Sequence, residues 1–223
     1  MNMMSKVMAG LLAVSLFIST VRAEDPLVGL YFKADAGGNW TRSSELREFF
    51  GPVTPGSRVE FDAGPRFGIT AGYDVLEFLG LEAQIGVMEN EISSISEATD
   101  LDARFINIPF MANARLHLPT YCRVSPYVGA GVGGTSSILD SDHITINDVT
   151  LSGTDSDTVF AWQAFAGVRF SLSQHMGLNF EYRYFESDPP RWRADFAFGT
   201  ETDTMRFGKI RTHAVSVAFD WTF

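Results

Sequence analysis

The stretch Thr212-His213-Ala214-Val215-Ser216-Val217-Ala218-Phe219-Asp220-Trp221-Thr222-Phe223 decides the fold. Taken two by two, Phe223, Trp221, Phe219, Val217 and Val215 share one face. Thr222, Asp220, Ala218, Ser216 and Ala214 share the other. A period of two sustained this long describes a strand with one apolar and one polar side. The apolar side is aromatic at its end. Such a strand is expected to close a barrel in a membrane, its last aromatic at the membrane–water boundary.

Seven more segments alternate in the same way: 28–40, 59–73, 78–90, 103–118, 125–135, 158–172 and 177–185. The connections between the eight strands run long, short, long, short, long, short, long. The long ones are 41–57, 91–101, 136–157 and 186–205. Within the first, Ser44-Glu45-Leu46-Arg47-Glu48-Phe49-Phe50 has the serine cap and early acids of a single helical turn. Pro109 falls inside the fourth strand, where a missing N–H predicts a bulge or a local loss of pairing. The expected fold is all-β: an eight-stranded antiparallel up-and-down transmembrane β-barrel, both termini on the periplasmic side.

The apolar faces of these strands carry no Asp, Glu, Lys or Arg. The opposite faces carry Lys33, Asp35, Glu60, Asp62, Arg66, Glu82, Arg115, Arg169, Glu181, Arg183 and Asp220. An arginine or lysine on a lipid-facing wall costs about 2–4 kcal/mol near mid-membrane, so the charges belong inside. A soluble barrel would reverse the faces. That alternative puts the glycines of the polar face (Gly64, Gly68, Gly72, Gly129, Gly131, Gly133 and Gly167 among them) outside, whereas a narrow interior is where glycine fits. Aromatics also gather at strand ends: Trp40, Phe61, Phe160, Trp162 and Tyr184 toward the long connections; Tyr73, Phe170, Trp221 and Phe223 toward the short ones. Two such girdles mark the borders of a membrane.

Residues 1–23 read as a cleaved signal peptide. Lys6 makes the positive start, 7–21 the apolar run, and Val21-Arg22-Ala23 the small-residue site, with cleavage between Ala23 and Glu24. The expected barrel domain is then 24–223. Loss of Lys6 and Arg22 leaves 17 − 2 = 15 basic residues against 27 acidic ones, a net charge of −12. That excludes nucleic acid as a partner, since binding it needs basic patches. The one cysteine, Cys122, has no partner for an intramolecular disulfide and reads as a spectator thiol in a turn.

The chain resembles the small outer-membrane β-barrel family that includes the OmpA transmembrane domain, OmpX and the opacity-type surface proteins. The residues that carry the resemblance are Gly29-Leu30-Tyr31-Phe32-Lys33-Ala34-Asp35-Ala36-Gly37, Ile108-Pro109-Phe110-Met111-Ala112-Asn113-Ala114-Arg115, Ser125-Pro126-Tyr127-Val128-Gly129-Ala130-Gly131-Val132-Gly133 and Phe219-Asp220-Trp221-Thr222-Phe223. It implies an outer-membrane location. It also implies that Phe219, Trp221 and Phe223 form the signal read by the barrel-assembly machinery. A shared fold of this kind leaves activity open.

Eight strands enclose an interior that side chains just fill. Glu60, Glu82 and Glu181 with Arg66, Arg115, Arg169 and Arg183 are expected to form an ion-pair network there, because an unpaired buried charge is very costly. That network reads first as a plug, with a gated ion path as the alternative. The functional reading is a structural and surface-interaction protein whose four loops meet a host or surface ligand, lipid or lipopolysaccharide. A monomer is expected. The alternative is a narrow channel for ions or small solutes.

No enzymatic role is expected. Ser216 and His213 lie on opposite faces of one strand and cannot pair. No cofactor is expected either. The match of Gly129-Ala130-Gly131-Val132-Gly133-Gly134 to a dinucleotide fingerprint lacks the helix and the acidic partner. Asp140, Asp142, His143, Asp148, Asp155 and Asp157 lack the spacing of a calcium loop and read as a solvated acidic stretch.

Overall fold

The computed structural model describes residues 29–49, 53–96, 98–117, 123–146, 149–194 and 203–223. The signal cleavage position at Ala23 and Glu24, and Cys122, lie outside the described residues. Twelve strands are described: β1 (Leu30–Thr41), β2 (Ser44–Phe49), β3 (Arg58–Phe61), β4 (Gly64–Leu76), β5 (Leu79–Ile95), β6 (Ala98–His117), β7 (Val124–Ile146), β8 (Val149–Ser171), β9 (Met176–Ser187), β10 (Arg191–Ala194), β11 (Asp203–Phe207) and β12 (Ile210–Thr222).

Eight of them form a closed antiparallel ring in the order β1, β4, β5, β6, β7, β8, β9, β12, and β12 pairs again with β1. Closure removes every free edge from this tier. The closing ladder runs from Tyr31↔Thr222 to Thr41↔Thr212 without a shift. On the wall's outside stand Phe32, Phe67, Ile69, Leu81, Ile85, Phe110, Val128, Val132, Phe180, Val215, Val217 and Phe219, each 43% or more exposed. From Leu30 to Trp40 the outward side of β1 is apolar, a rise of ten residue steps or about 33 Å of strand. Tilted as barrel strands are, that makes a band of roughly 25 Å.

Four ring strands, β5 to β8, do not stop at the band. β7 and β8 have 23 residues each, against 12 for β1 and β9. Their upper halves need partners that the shorter ring strands cannot reach. The short strands take those places in the order β3, β2, β11, β10, with β3 laddered to β5 at Val59↔Ile95 and Glu60↔Ser94. At the other side β10 meets β8, where the Arg191 N–H donates to the Asp157 carboxylate at 2.9 Å. The result is a second tier stacked on the first.

The strands β2, β3, β10 and β11 correct the expectation of long loops. The segment expected to turn as a helix is β2. The connection 91–101 is almost entirely strand, and 136–157 is the top of the β7–β8 hairpin. The expected strand 59–73 breaks at Asp62 and Ala63 into β3 and β4. Pro109 keeps its place against Thr135 of β7, but the β5–β6 ladder skips from Ile85↔Phe110 to Met88↔Asn107 with the register unchanged. Pairing is lost there and no bulge forms.

Candidate functional site

Side chains pointing into the lower tier lie in levels. Nearest the short turns, Arg169 grips Asp220 with Nε and Nη2 at 3.0 and 2.7 Å. One level up, Glu82 gathers three groups. Lys33 Nζ lies at 2.7 Å, the Tyr31 hydroxyl donates at 2.8 Å, and Arg115 Nε stands 3.4 Å away. Arg115 also reaches Asp74 at 3.1 Å, and its guanidinium lies 4.5 Å from the Tyr31 ring centroid. Opposite, Glu181 takes the Tyr127 hydroxyl at 3.1 Å and pairs with Arg183. Arg183 donates to Gln84 at 2.7 Å, and Gln163 spans Gln84 and Asn113 at 2.9 and 2.6 Å. Arg66 pairs with Asp35 and reaches Ser216 at 3.3 Å.

Five cations (Lys33, Arg66, Arg115, Arg169, Arg183) therefore face five carboxylates (Asp35, Asp74, Glu82, Glu181, Asp220). In this low-dielectric interior each needs its partner and its hydrogen bonds. Glycines opposite the large groups make the room. A Cβ at Gly72 would meet the Tyr31 ring at 2.1 Å, and one at Gly129 the Phe165 ring at 2.3 Å. Gly129, Gly131 and Gly133 are thus part of the packing of a narrow interior.

Of the residues expected in the network, Arg66, Glu82, Arg115, Arg169, Glu181 and Arg183 point into the lower tier and make ion pairs there. Glu60 does not. It sits exposed on the outside of β3 and accepts from Ser94 at 3.1 Å. The chain turns over at Asp62 and Ala63, so the face assigned to Glu60 from the parity of β4 does not apply to β3. Asp62 is likewise exposed. Asp74, expected in a short turn, was missed as a partner of Arg115. Tyr31, Tyr127, Gln84, Gln163 and Asn113 were missed as members of the network. Their signal is parity alone: all share the inward register of the charged positions.

Above these levels the interior changes character. Met88, Met111, Ala161 and Phe185 form an apolar layer. A polar layer follows, in which Thr41 bonds Asn90 at 2.9 Å and lies 2.8 Å from Thr212. The upper tier is then filled by Leu46, Phe49, Val59, Ile92, Ile95, Ala103, Phe105, Leu139, Ile144, Trp192, Met205, Phe207 and Ile210. Trp192 belongs to this core, 4.8 Å from the Phe207 ring, and its indole N–H donates to the Ser137 carbonyl at 2.9 Å. Phe61, expected in the outer girdle, packs instead against this core, 5.4 Å from Phe105.

The remaining girdle residues lie on the wall. At the upper border Trp40 stacks on His213 at 5.9 Å, and Trp162 meets Tyr184 at a tilt, 5.3 Å between ring centres. At the lower border Phe32 meets Phe223 at 5.8 Å and His175 lies 6.4 Å from Trp221. Phe219, Trp221 and Phe223 all face outward. His213 points out and Ser216 in.

A family model described as outer membrane protein beta-barrel domain matches residues 9–223. An uncharacterized protein of Brucella suis biovar 1 (strain 1330) is 24% identical over 183 residues, 70% of this chain and 64% of that protein. The chain thus spans under two thirds of that relative's length. The solved structure of the outer membrane protein OprG from Pseudomonas aeruginosa superposes with a TM-score of 0.63 at 15% identity, covering 86% of this chain and 96% of that one. The outer membrane protease OmpT from Escherichia coli gives 0.53 at 8% identity, covering 92% and 99%. At such identities the likeness is one of fold.

Proposed function

The chain belongs to the outer-membrane β-barrel family and resides in the outer membrane. From that premise we propose a structural and surface-interaction protein: a plugged barrel, termini toward the periplasm, that presents a rigid second tier outside the cell. The observation that carries this reading is the filling of the interior. Ion pairs, an apolar layer, a polar layer and a further apolar core succeed one another along the axis. A succession of filled levels is what a plug requires, and it supports this reading over that of a channel.

Within this reading the partners are outer-membrane lipid or lipopolysaccharide on the wall and a host or surface ligand at the upper tier. The protein acts as a monomer without a catalytic centre. Phe219, Trp221 and Phe223 serve as the signal for the barrel-assembly machinery. The exposed outer side of the upper tier, which includes Glu45, Arg47, Glu60 and Arg191, offers the charged contact surface.

The test is single-channel recording from the refolded full chain in a planar bilayer, after a heat-modifiability gel verifies folding. A folded, silent barrel is the expected outcome. Discrete currents that change when Arg66 or Glu181 is neutralised would replace this reading with that of a narrow channel.

A further inference from the structure

Outside the wall, where β1 and β12 close the ring, three cations crowd together. The Arg42 N–H bonds the Arg211 carbonyl at 2.8 Å, continuing the register of Thr41↔Thr212. The two arginines therefore stand directly across from each other. Like charges so placed destabilise a sheet. Lys209 adds a third, and Arg42, Ser43, Lys209 and Arg211 line one depression in the surface.

Among the described residues one carboxylate answers them. Glu186 accepts from Lys209 at 2.9 Å, from Arg211 at 3.0 Å and from the Tyr184 hydroxyl at 2.9 Å. Arg42 takes no part in these bonds. Three cations against one carboxylate leave a charge of +2 on a chain whose formal net charge is −10. Lys209 and Arg211 keep 48% and 50% of their side chains exposed, so the cluster faces outward. At two other places on the upper wall the charges are partnered: Arg104 meets Glu89 at 3.8 Å, and Asp140 accepts from Thr154.

The height of the cluster points to its occupant. Directly below it stand the stacked Trp40 and His213, with Tyr184 at 5.4 Å from His213. These belong to the upper girdle, where lipid headgroups begin. Below Trp40 the outward residues of β1 are small, Ala34, Ala36 and Gly38, which leaves a shallow strip in the wall.

We propose that this depression binds a phosphate group of an outer-leaflet lipid headgroup. The guanidinium forks of Arg42 and Arg211 grip the phosphate oxygens and Lys209 adds a point charge. An acyl chain lies down the strip below. The bound anion relieves the repulsion between the facing arginines, so the lipid also steadies the seam. The site rests on the membrane placement above and is independent of which ligand the upper tier contacts.

The experiment uses the full chain in dodecylmaltoside micelles, which carry no phosphate, with lipopolysaccharide whose headgroup phosphates are intact or removed. A micelle has no sides, so the result does not depend on orientation or on conductance. Lipid retained per barrel is read by native mass spectrometry. The intact lipid is expected to stay bound and the dephosphorylated one to be lost. The double variant Arg42→Gln/Arg211→Gln is expected to weaken retention by roughly tenfold or more. The double lysine variant keeps part of it. If the glutamine variant fails the folding gel, Lys209→Gln replaces it. Equal retention of the two lipids, or unchanged retention in the folded variants, overturns the site. Displacement by an equal concentration of inorganic phosphate overturns the lipid assignment in favour of a free-anion site.

Discussion

The two tiers of this barrel are built from partly the same strands and are opposite in every cross-section. On β5, Glu82 and Gln84 point inward below, and Ile92 and Ile95 point inward above. Outward, Leu81 and Ile85 give way to Glu89 and Glu91. From Glu82 to Ile92 the inward parity of β5 is unchanged, and a register shift against Glu60 and Phe61 then brings Ile95 inward as well. What changes is the solvent against the wall: hydrocarbon below, water above. Alternation specifies that a strand has two faces. The medium decides which face is turned in.

The sharpest way to break this comparison is to remove a charge from the lower interior. Glu82→Ala strands Lys33 and Arg115 without their shared carboxylate and is expected to cost about 3–5 kcal/mol. Urea titration of the refolded barrel followed by tryptophan fluorescence measures it. A cost under one kcal/mol would mean that water reaches the pairs and that the interior is not a dry plug.

A matched pair of substitutions on one strand comes next. Ile85→Arg places a cation on the lower wall and is expected to cost about 2–4 kcal/mol. Ser93→Arg, outward on the upper part of β5, is expected to stay within about 0.5 kcal/mol. Equal costs in the same titration would erase the border between the tiers.

Smaller effects sharpen the packing argument. Gly72→Ala drives a methyl group into the Tyr31 ring and is expected to cost about 1–3 kcal/mol by overpacking. A transition at unchanged urea concentration would show that the ring has room to move. Trp192→Phe keeps an aromatic in the upper core and loses the bond to the Ser137 carbonyl, for about 1 kcal/mol. Protease protection of the upper tier is the measure, because lower-tier unfolding is expected to remain where it was.

The lower tier was legible in the sequence because a membrane imposes strict alternation over whole strands. The charged residues at Lys33, Arg66, Glu82, Arg115, Glu181 and Arg183 revealed their side by being absent from the other. The upper tier was not legible, since its strands are polar outside and look like loops by composition. One signal was present. Where a strand passes from one tier to the other its apolar face changes sides, and two neighbouring apolar residues stand at the crossing: Val87-Met88 on β5, Phe105-Ile106 on β6, Ile138-Leu139 on β7. Glu60 was misplaced because the parity of β4 was carried through Asp62 and Ala63, where the chain steps from one strand to another. The exact pairs were beyond reach. Asp74 meets Arg115 across two strands, and only register sets that distance.

The seam between β1 and β12 has a consequence in time. Its ladder joins residues near opposite ends of the described chain, such as Tyr31 and Thr222. Contacts so far apart in sequence form late, because the closing loop is the whole of the rest of the molecule. Until then the two strands are bare edges, each able to pair with any other chain it meets. The barrel therefore passes through its most vulnerable state just before its most durable one. The cell must shelter that open sheet for as long as the final joint takes to form.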